Sequence, residues 1–231
     1  LRWKEPADVL LLAPTLVDLA PAELADAVRA RFGLELRRLG VFTQLCQVGV
    51  ETCMEAAGTR GRLGVLLATE YGALSAARTA LDDGLRRGEP AMPSTFIATQ
   101  TSLAGALLAR RSHDVARAAC LYLEAGDWPW LLRIARNWLA QCERVAVGWV
   151  EEAAQGAPHR SHWCIVIRES AAPAIHCEPA GAGTAATNGD WIARVAAWHK
   201  AFGAPLELRG NQQGWRFTSQ RHTARTAQPS A

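Results

Sequence analysis

The stretch LGVLLAT, residues 63–69, carries no charge and no alternation of polar with apolar positions. A strand with one wet face alternates, so a continuous apolar run belongs to a sheet covered on both faces. Further short runs read as strands at 9–13 (VLLLA), 115–123 (VARAACLYL), 144–150 (RVAVGWV) and 162–168 (HWCIVIR). Helical patterns separate them. Pro21 sits just inside the start of PAELADAVRARFG, which closes on Gly33. Leu39, Phe42, Cys46, Val50, Cys53 and Ala57 recur at helical spacing up to Gly58. Residues 73–87 form a helix that Gly88, Pro90 and Pro93 break. STFIATQTSLAGALLARR is helical in its second half, with an N-cap at Ser94 or Thr95. WPWLLRIARNWLAQ places Leu131, Ile134, Ala135 and Trp138 on one face. After a loop at 180–189 come a last helix, DWIARVAAWHKAF, and a hairpin, LELRGNQQGWRF, with a Gly-Asn turn. TARTAQPSA is a loose tail. No internal repeat is visible. Strand–helix alternation of this kind predicts an α/β layer structure, and 231 residues, 49% hydrophobic, fill one large domain.

The formal net charge is +3, with arginine far outnumbering lysine. That is a mild bias, not the basic stripe of a nucleic-acid binder, though it suits an acidic protein partner. No apolar run reaches the length of a membrane span, and no signal-peptide pattern opens the chain. The six cysteines, Cys46, Cys53, Cys120, Cys142, Cys164 and Cys177, form no CxxC pair and lie mostly in apolar runs. Reduced, mostly buried thiols in a cytoplasmic protein are the expectation.

Nucleotide-binding, hydrolase-elbow and zinc-protease motifs are absent. The six histidines are not paired at metal-ligand spacing, and five lie near loops or charged residues, which predicts solvated surface positions and no metal. The segment CLYLEAGDWPWLL, 120–132, runs from strand through a sharp turn into a helix, the arrangement in which many α/β enzymes hold a nucleophile. The turn has no Ser, Cys or Thr. Cys120 precedes it inside an apolar run, where burial raises a thiol's pKa, so inert packing is the favoured reading. Glu124 and Asp127 offer a carboxylate pair, but Asp127 reads better as the N-cap of a helix starting at Trp128. Trp128, Trp130, Trp138 and Trp149 lean toward a partner surface. Arg110-Arg111 and Arg133/Arg136 read as solvated helix faces, with an acidic partner as the alternative.

The order LRRLGVFTQLCQVGVETCMEAAG, GVLLATEYGAL, MPSTFIATQTSLAGALLARR, the elbow around 120–141, and ERVAVGWVEE resembles the N-terminal half of β-ketoacyl synthases. The whole chain, including HWCIVIRES and the closing DWIARVAAWHKAFGAPLELRGNQQGWRFTSQR, looks like the small chain-length-factor-like subunits of aryl polyene pathways. The resemblance implies a thiolase-like half-domain, a mixed β-sheet covered by helices, at 1–157. It implies a C-terminal helix and hairpin extension at 158–222 packed on the same domain, and a flexible tail at 223–231.

In an active condensing enzyme the nucleophilic Cys opens the helix after this strand, a position that falls near Glu124. The small subunits carry a Gly-acid pair there, matched by Gly126-Asp127, and the family's two catalytic histidines belong to a half this chain does not contain. The resemblance thus implies a degenerate elbow at Glu124, Gly126 and Asp127, with no cofactor and no catalytic role. DWPWLL is bulkier than the family pattern, enough to block a pocket at the elbow. The implied partner is a catalytic β-ketoacyl synthase subunit, paired sheet edge to sheet edge along 115–123, with Cys120 and Tyr122 at the interface. An acyl carrier protein is a second candidate partner. Phe96, Thr99 and Gln100 are the candidates for shaping the partner's acyl tunnel. The alternatives are a minimal thiolase-like acyltransferase using Cys120, with His113 or His176 as base, and a stand-alone carrier-protein-binding module.

Overall fold

The structure is a computed structural model and describes residues 9–33, 39–88, 90, 92–124, 126–153, 157–170, 173–181, 183–186, 190–201 and 204–219. The expected tail at 223–231 lies outside the described residues. The elements are β1 (Val9–Leu19), α1 (Pro21–Phe32), α2 (Val41–Ala57), β2 (Leu63–Thr69), α3 (Leu74–Arg86), α4 (Pro93–Ala98), α5 (Ser102–Arg111), β3 (Val115–Tyr122) and α6 (Pro129–Trp138). They continue as β4 (Arg144–Glu151), β5 (His159–Ile167), β6 (Ile175–Ala180), β7 (Thr184–Ala185), α7 (Asp190–Ala201), β8 (Leu206–Arg209) and β9 (Gly214–Ser219).

One nine-stranded sheet runs through the molecule in the order β3-β2-β4-β5-β1-β6-β9-β8-β7. β3, β2 and β4 are parallel, and every neighbouring pair from β4 through β8 is antiparallel. The continuous apolar runs are explained by what covers them. Along β2, Leu63, Val65 and Leu67 point into a core built with α1, α2, α3 and α5. Leu66 and Ala68 point the other way, into a core built with α6, α7 and the later strands. Every residue of β2 is buried, so the strand cannot alternate.

Several expectations need correction. β1 does not stop at Ala13 but continues to Leu19. Its pairing with β5 shifts register between Leu12 and Thr15, and Ala13 takes φ 47°, a bulge that accommodates Pro14 without a lost ladder bond. β6 was not foreseen, since IHCEPA is short, half polar and contains Pro179; β7 lies inside the stretch read as a loop. Ser94 and Thr95 are not N-caps. α4 starts at Pro93 behind Met92, and α5 behind Thr101, neither with a side-chain cap bond. Trp128, Trp149, Trp163, Trp191 and Trp215 are buried, so tryptophan here is mainly core material. Trp138 and Trp198 are half-buried, and Trp130 is exposed beneath the Arg133 guanidinium, 4.4 Å from its ring.

Two close approaches set the core. Gly49 lets α2 settle on β5, where the Trp163 indole donates to Ser161 Oγ at 2.8 Å and Ser161 donates to the Leu45 carbonyl at 2.9 Å. Gly148 on β4 lies flat against the same indole. At the amino-terminal end of β4, the buried Arg144 guanidinium donates to the carbonyls of Gly61 (3.2 Å) and Thr59 and pairs with Asp114 at 3.2 Å. It therefore binds the α2–β2 turn to the start of β3. A Cβ at Gly148 has no room beside Trp163, and Gly148→Ala is expected to cost about 1–3 kcal/mol by overpacking. At Gly84, within α3, a Cβ meets nothing, and Gly84→Ala should stabilise by about 0.5–1 kcal/mol. Chemical denaturation of the two variants checks both signs.

Candidate functional site: an open strand edge and a closed elbow

Among the described residues β3 terminates the sheet, with β2 on one side and no strand on the other. Its burial alternates because α5 and α6 cover it only partly: Ala116, Ala118 and Tyr122 are exposed, and Val115, Arg117, Ala119, Cys120 and Leu121 are half-buried. An outer ladder of backbone groups is thus left without a strand partner. Such an edge is a ready-made template for pairing with a strand of another chain.

The surface beside this edge is apolar. Phe96 is 61% exposed and Tyr122 60%, and Tyr71, Met92 and Ile97 are also exposed. Of the tunnel candidates, Phe96 and Gln100 stand in solvent, and Thr99 is half-buried, donating from Oγ1 to the Phe96 carbonyl at 2.7 Å. Gln100 donates to Thr99 Oγ1 at 3.1 Å. The next residue, the buried Thr101, lies 3.4 Å from the Tyr122 hydroxyl, so the α4–α5 turn packs against the end of β3. Tyr71, Met92 and Ile97 were missed in the sequence because an exposed apolar residue carries the same letter as a buried one.

Cys120 faces the α5 side and packs on the core shared with α2. Burial pushes its thiol up, and the Thr101 hydroxyl pulls it only partly back. Neither suggested base is near. His113 precedes the opposite end of β3, about 20 Å away at an extended rise of ~3.3 Å per residue. His176 lies on β6, five strands across the sheet, or about 24 Å at ~4.8 Å per strand. Two other histidines correct the expectation of solvated positions: His159 and His162 are buried. His159 Nδ1 accepts from the Ala153 N–H at 3.0 Å, and His162 Nε2 lies 2.9 Å from Asp18. Among the described residues no three His, Cys, Asp or Glu side chains gather as metal ligands.

At the elbow, Glu124 is exposed, Gly126 is buried with φ 87°, and the Asp127 N–H donates to the Glu124 carbonyl at 3.1 Å. Asp127 is not an N-cap: α6 starts at Pro129 behind Trp128, without a side-chain cap bond. Its carboxylate instead accepts from Asn211 Nδ2 at 3.2 Å, and the Asn211 N–H donates to the Gly126 carbonyl at 2.8 Å. Trp128 is buried, stacked on Trp191 at 5.1 Å, with its indole N–H on the Ala186 carbonyl at 3.2 Å. The tryptophan bulk of DWPWLL therefore fills the space at the elbow together with the chain's own C-terminal segment. Of the arginines, Arg133 is exposed, Arg136 lies 5.6 Å from the Trp215 ring, and Arg111 lies 4.8 Å from the Phe32 ring.

No family model matches the chain, and no curated protein matches it. Solved structures do. The chain is similar to the ketosynthase (ApeO) in complex with its chain length factor (ApeC) from Xenorhabdus doucetiae, at a TM-score of 0.59 and 11% identity. That match covers 93% of this chain and 98% of the other. It is also similar to the ishigamide ketosynthase/chain length factor, at a TM-score of 0.53 and 16% identity, over 75% of this chain and 68% of that one. The fold is thus the ketosynthase-like, thiolase-type α/β fold, a large mixed sheet covered by helices. Among the described residues no helix is long and apolar enough to cross a membrane.

With its thiol pKa raised and neither His113 nor His176 in reach, Cys120 should react with iodoacetamide no faster than an ordinary exposed thiol at neutral pH. Its pH–rate profile should rise only above the usual thiol range, as peptide-resolved mass spectrometry will read; fast labelling near neutrality would mark it as an activated nucleophile.

Proposed function

We propose that this chain is the non-catalytic, chain-length-factor-like subunit of a heterodimeric β-ketoacyl synthase. It would stabilise a catalytic partner and shape that partner's acyl tunnel in polyene or fatty-acid-like biosynthesis, with aryl polyenes the favoured product class. The observation that carries this reading is the bare β3 edge beside exposed Phe96, Ile97 and Tyr122. A strand ladder flanked by apolar side chains supplies directional backbone bonds and a desolvated surround, the chemistry of an obligate interface. The fold shared with components of ketosynthase/chain length factor complexes supports the choice of partner.

In this reading the chain contributes no bond-making group. The elbow at Glu124, Gly126 and Asp127 has no nucleophile, and Cys120 is placed as packing beneath the interface. Phe96, Thr99 and Gln100 face the partner's tunnel, Phe96 supplying the bulk against which a growing chain stops. Residues 1–157 act as the ketosynthase-like half and 158–222 as an extension that covers it; β5 of the extension pairs directly with β4. The complex is cytoplasmic, and an acyl carrier protein delivers the chain to it.

Co-expression with a catalytic ketosynthase from the same genome, followed by size-exclusion chromatography with light scattering, tests the assignment. A one-to-one complex is expected. A well-behaved monomer that ignores every such ketosynthase would sink it. In the assembled complex, Phe96→Ala should shift products to longer chains, as mass spectrometry of the released acids will read.

A further inference from the structure

The α4–α5 surface and the elbow lie on opposite faces of the sheet. α4 and α5 pack on the α2 side, with Ala98, Ala104 and Leu108 in that core. The elbow helix α6 packs on the other face, against α7, β8 and β9. Of the two, the elbow is covered by the turn that joins β8 to β9.

That contact is made main chain to main chain. Gly210 faces the Gly126 carbonyl and the Pro129 ring so closely that a Cβ at 210 would lie 2.6 Å from Pro129 Cδ. Across from it, a Cβ on Gly126 would lie 2.5 Å from Asn211 Oδ1, and its φ of 87° already favours glycine. Two facing glycines let the turn sit where no side chain fits. Asn211 then bonds twice to the elbow, from its backbone N–H to the Gly126 carbonyl and from Nδ2 to Asp127 Oδ1. The turn holds its own shape through the Gly210 N–H, which donates to the Gln213 carbonyl at 2.9 Å. Beneath it, Trp128 is held by Trp191 and, at 6.5 Å, Phe217. A substrate-accepting elbow must present free polar groups and an open space to its ligand. Here the Gly126 carbonyl, the Asp127 carboxylate and the Trp128 indole N–H all spend bonds on residues 186–211 of the same chain.

We propose that the β8–β9 turn is a built-in stopper: Gly210 and Asn211 close the elbow against acyl chains, so a chain measured by this subunit is read on the α4 face alone. This deepens the partner-subunit reading and rests on it only for the kind of ligand kept out. Closure itself is a property of the isolated chain, so it can fail while the heterodimer assembles, and the reverse.

The test uses the full chain alone, with hydrogen exchange over residues 124–131 and photolabelling by a diazirine-bearing dodecanoyl thioester of N-acetylcysteamine. Two variants open the turn by different means. Asn211→Asp keeps the volume but sets a carboxylate against Asp127, and Gly210→Val inserts a side chain against Pro129. In the unmodified protein, 126–131 should exchange slowly and remain unlabelled. In at least Asn211→Asp, exchange there should rise about tenfold, as expected of a local opening, with β2 and β4 unchanged, and the probe should label α6. Labelling of 126–131 in the unmodified protein would overturn the proposal. Exchange unchanged in both variants, or an opened elbow that still takes no label, would overturn it equally.

Discussion

The central strands β2, β4 and β5 are apolar on both faces, and most of the structure follows from the need to cover them. On one face α1, α2, α3 and α5 do so; on the other, α6 and α7 with the later strands. Burying one Val, Leu or Ile side chain is worth about 1.5–3 kcal/mol, so neither face can be left wet. α6 by itself is too narrow to shield its side, which explains why the C-terminal helix and hairpin are part of the same sheet and not an appendage. Trp128 stacked on Trp191 is the joint between the elbow helix and that cover.

The same construction leaves one border unfinished. Among the described residues no strand covers the outer edge of β3, and Tyr122 on it and Phe96 and Ile97 on α4 are apolar and exposed. Elsewhere most of the tryptophan bulk is inside, with Trp149, Trp163 and Trp215 all buried. Other apolar side chains are exposed as well, Leu81 and Leu85 on α3, Leu16 on β1 and Trp130 on α6, but at β3 apolar exposure stands beside an edge where, among the described residues, the sheet ends. The elbow, in contrast, is finished from within. The molecule is thus closed at the β3–α6 elbow and, among the described residues, open along the outer edge of β3.

Much of this was legible in the sequence. LGVLLAT, RVAVGWV and HWCIVIR announce a covered sheet because they lack alternation, and Gly33 and Gly58 close α1 and α2 where the periodicity ends. What escaped reading depends on contacts distant in the chain. The extension of β1 past Pro14 requires a bulge fixed by β5, and β6 is a strand only because β1 and β9 flank it. Asp127 looked like a helix cap from its neighbours, whereas its partner Asn211 is 84 residues away. Tryptophan content suggested a surface, and packing put most of it inside. The exposed apolar patch could not be separated from core by letters alone.

The central claim is that a catalytic ketosynthase adds a strand to β3. Amide exchange of residues 115–122, measured by NMR with and without the co-purified ketosynthase, tests it most directly. The account predicts that the β3 amides left unbonded by β2 become strongly protected in the complex, while β7, at the far edge of the sheet, is unchanged. A stable complex in which β3 exchanges as it does alone would contradict it.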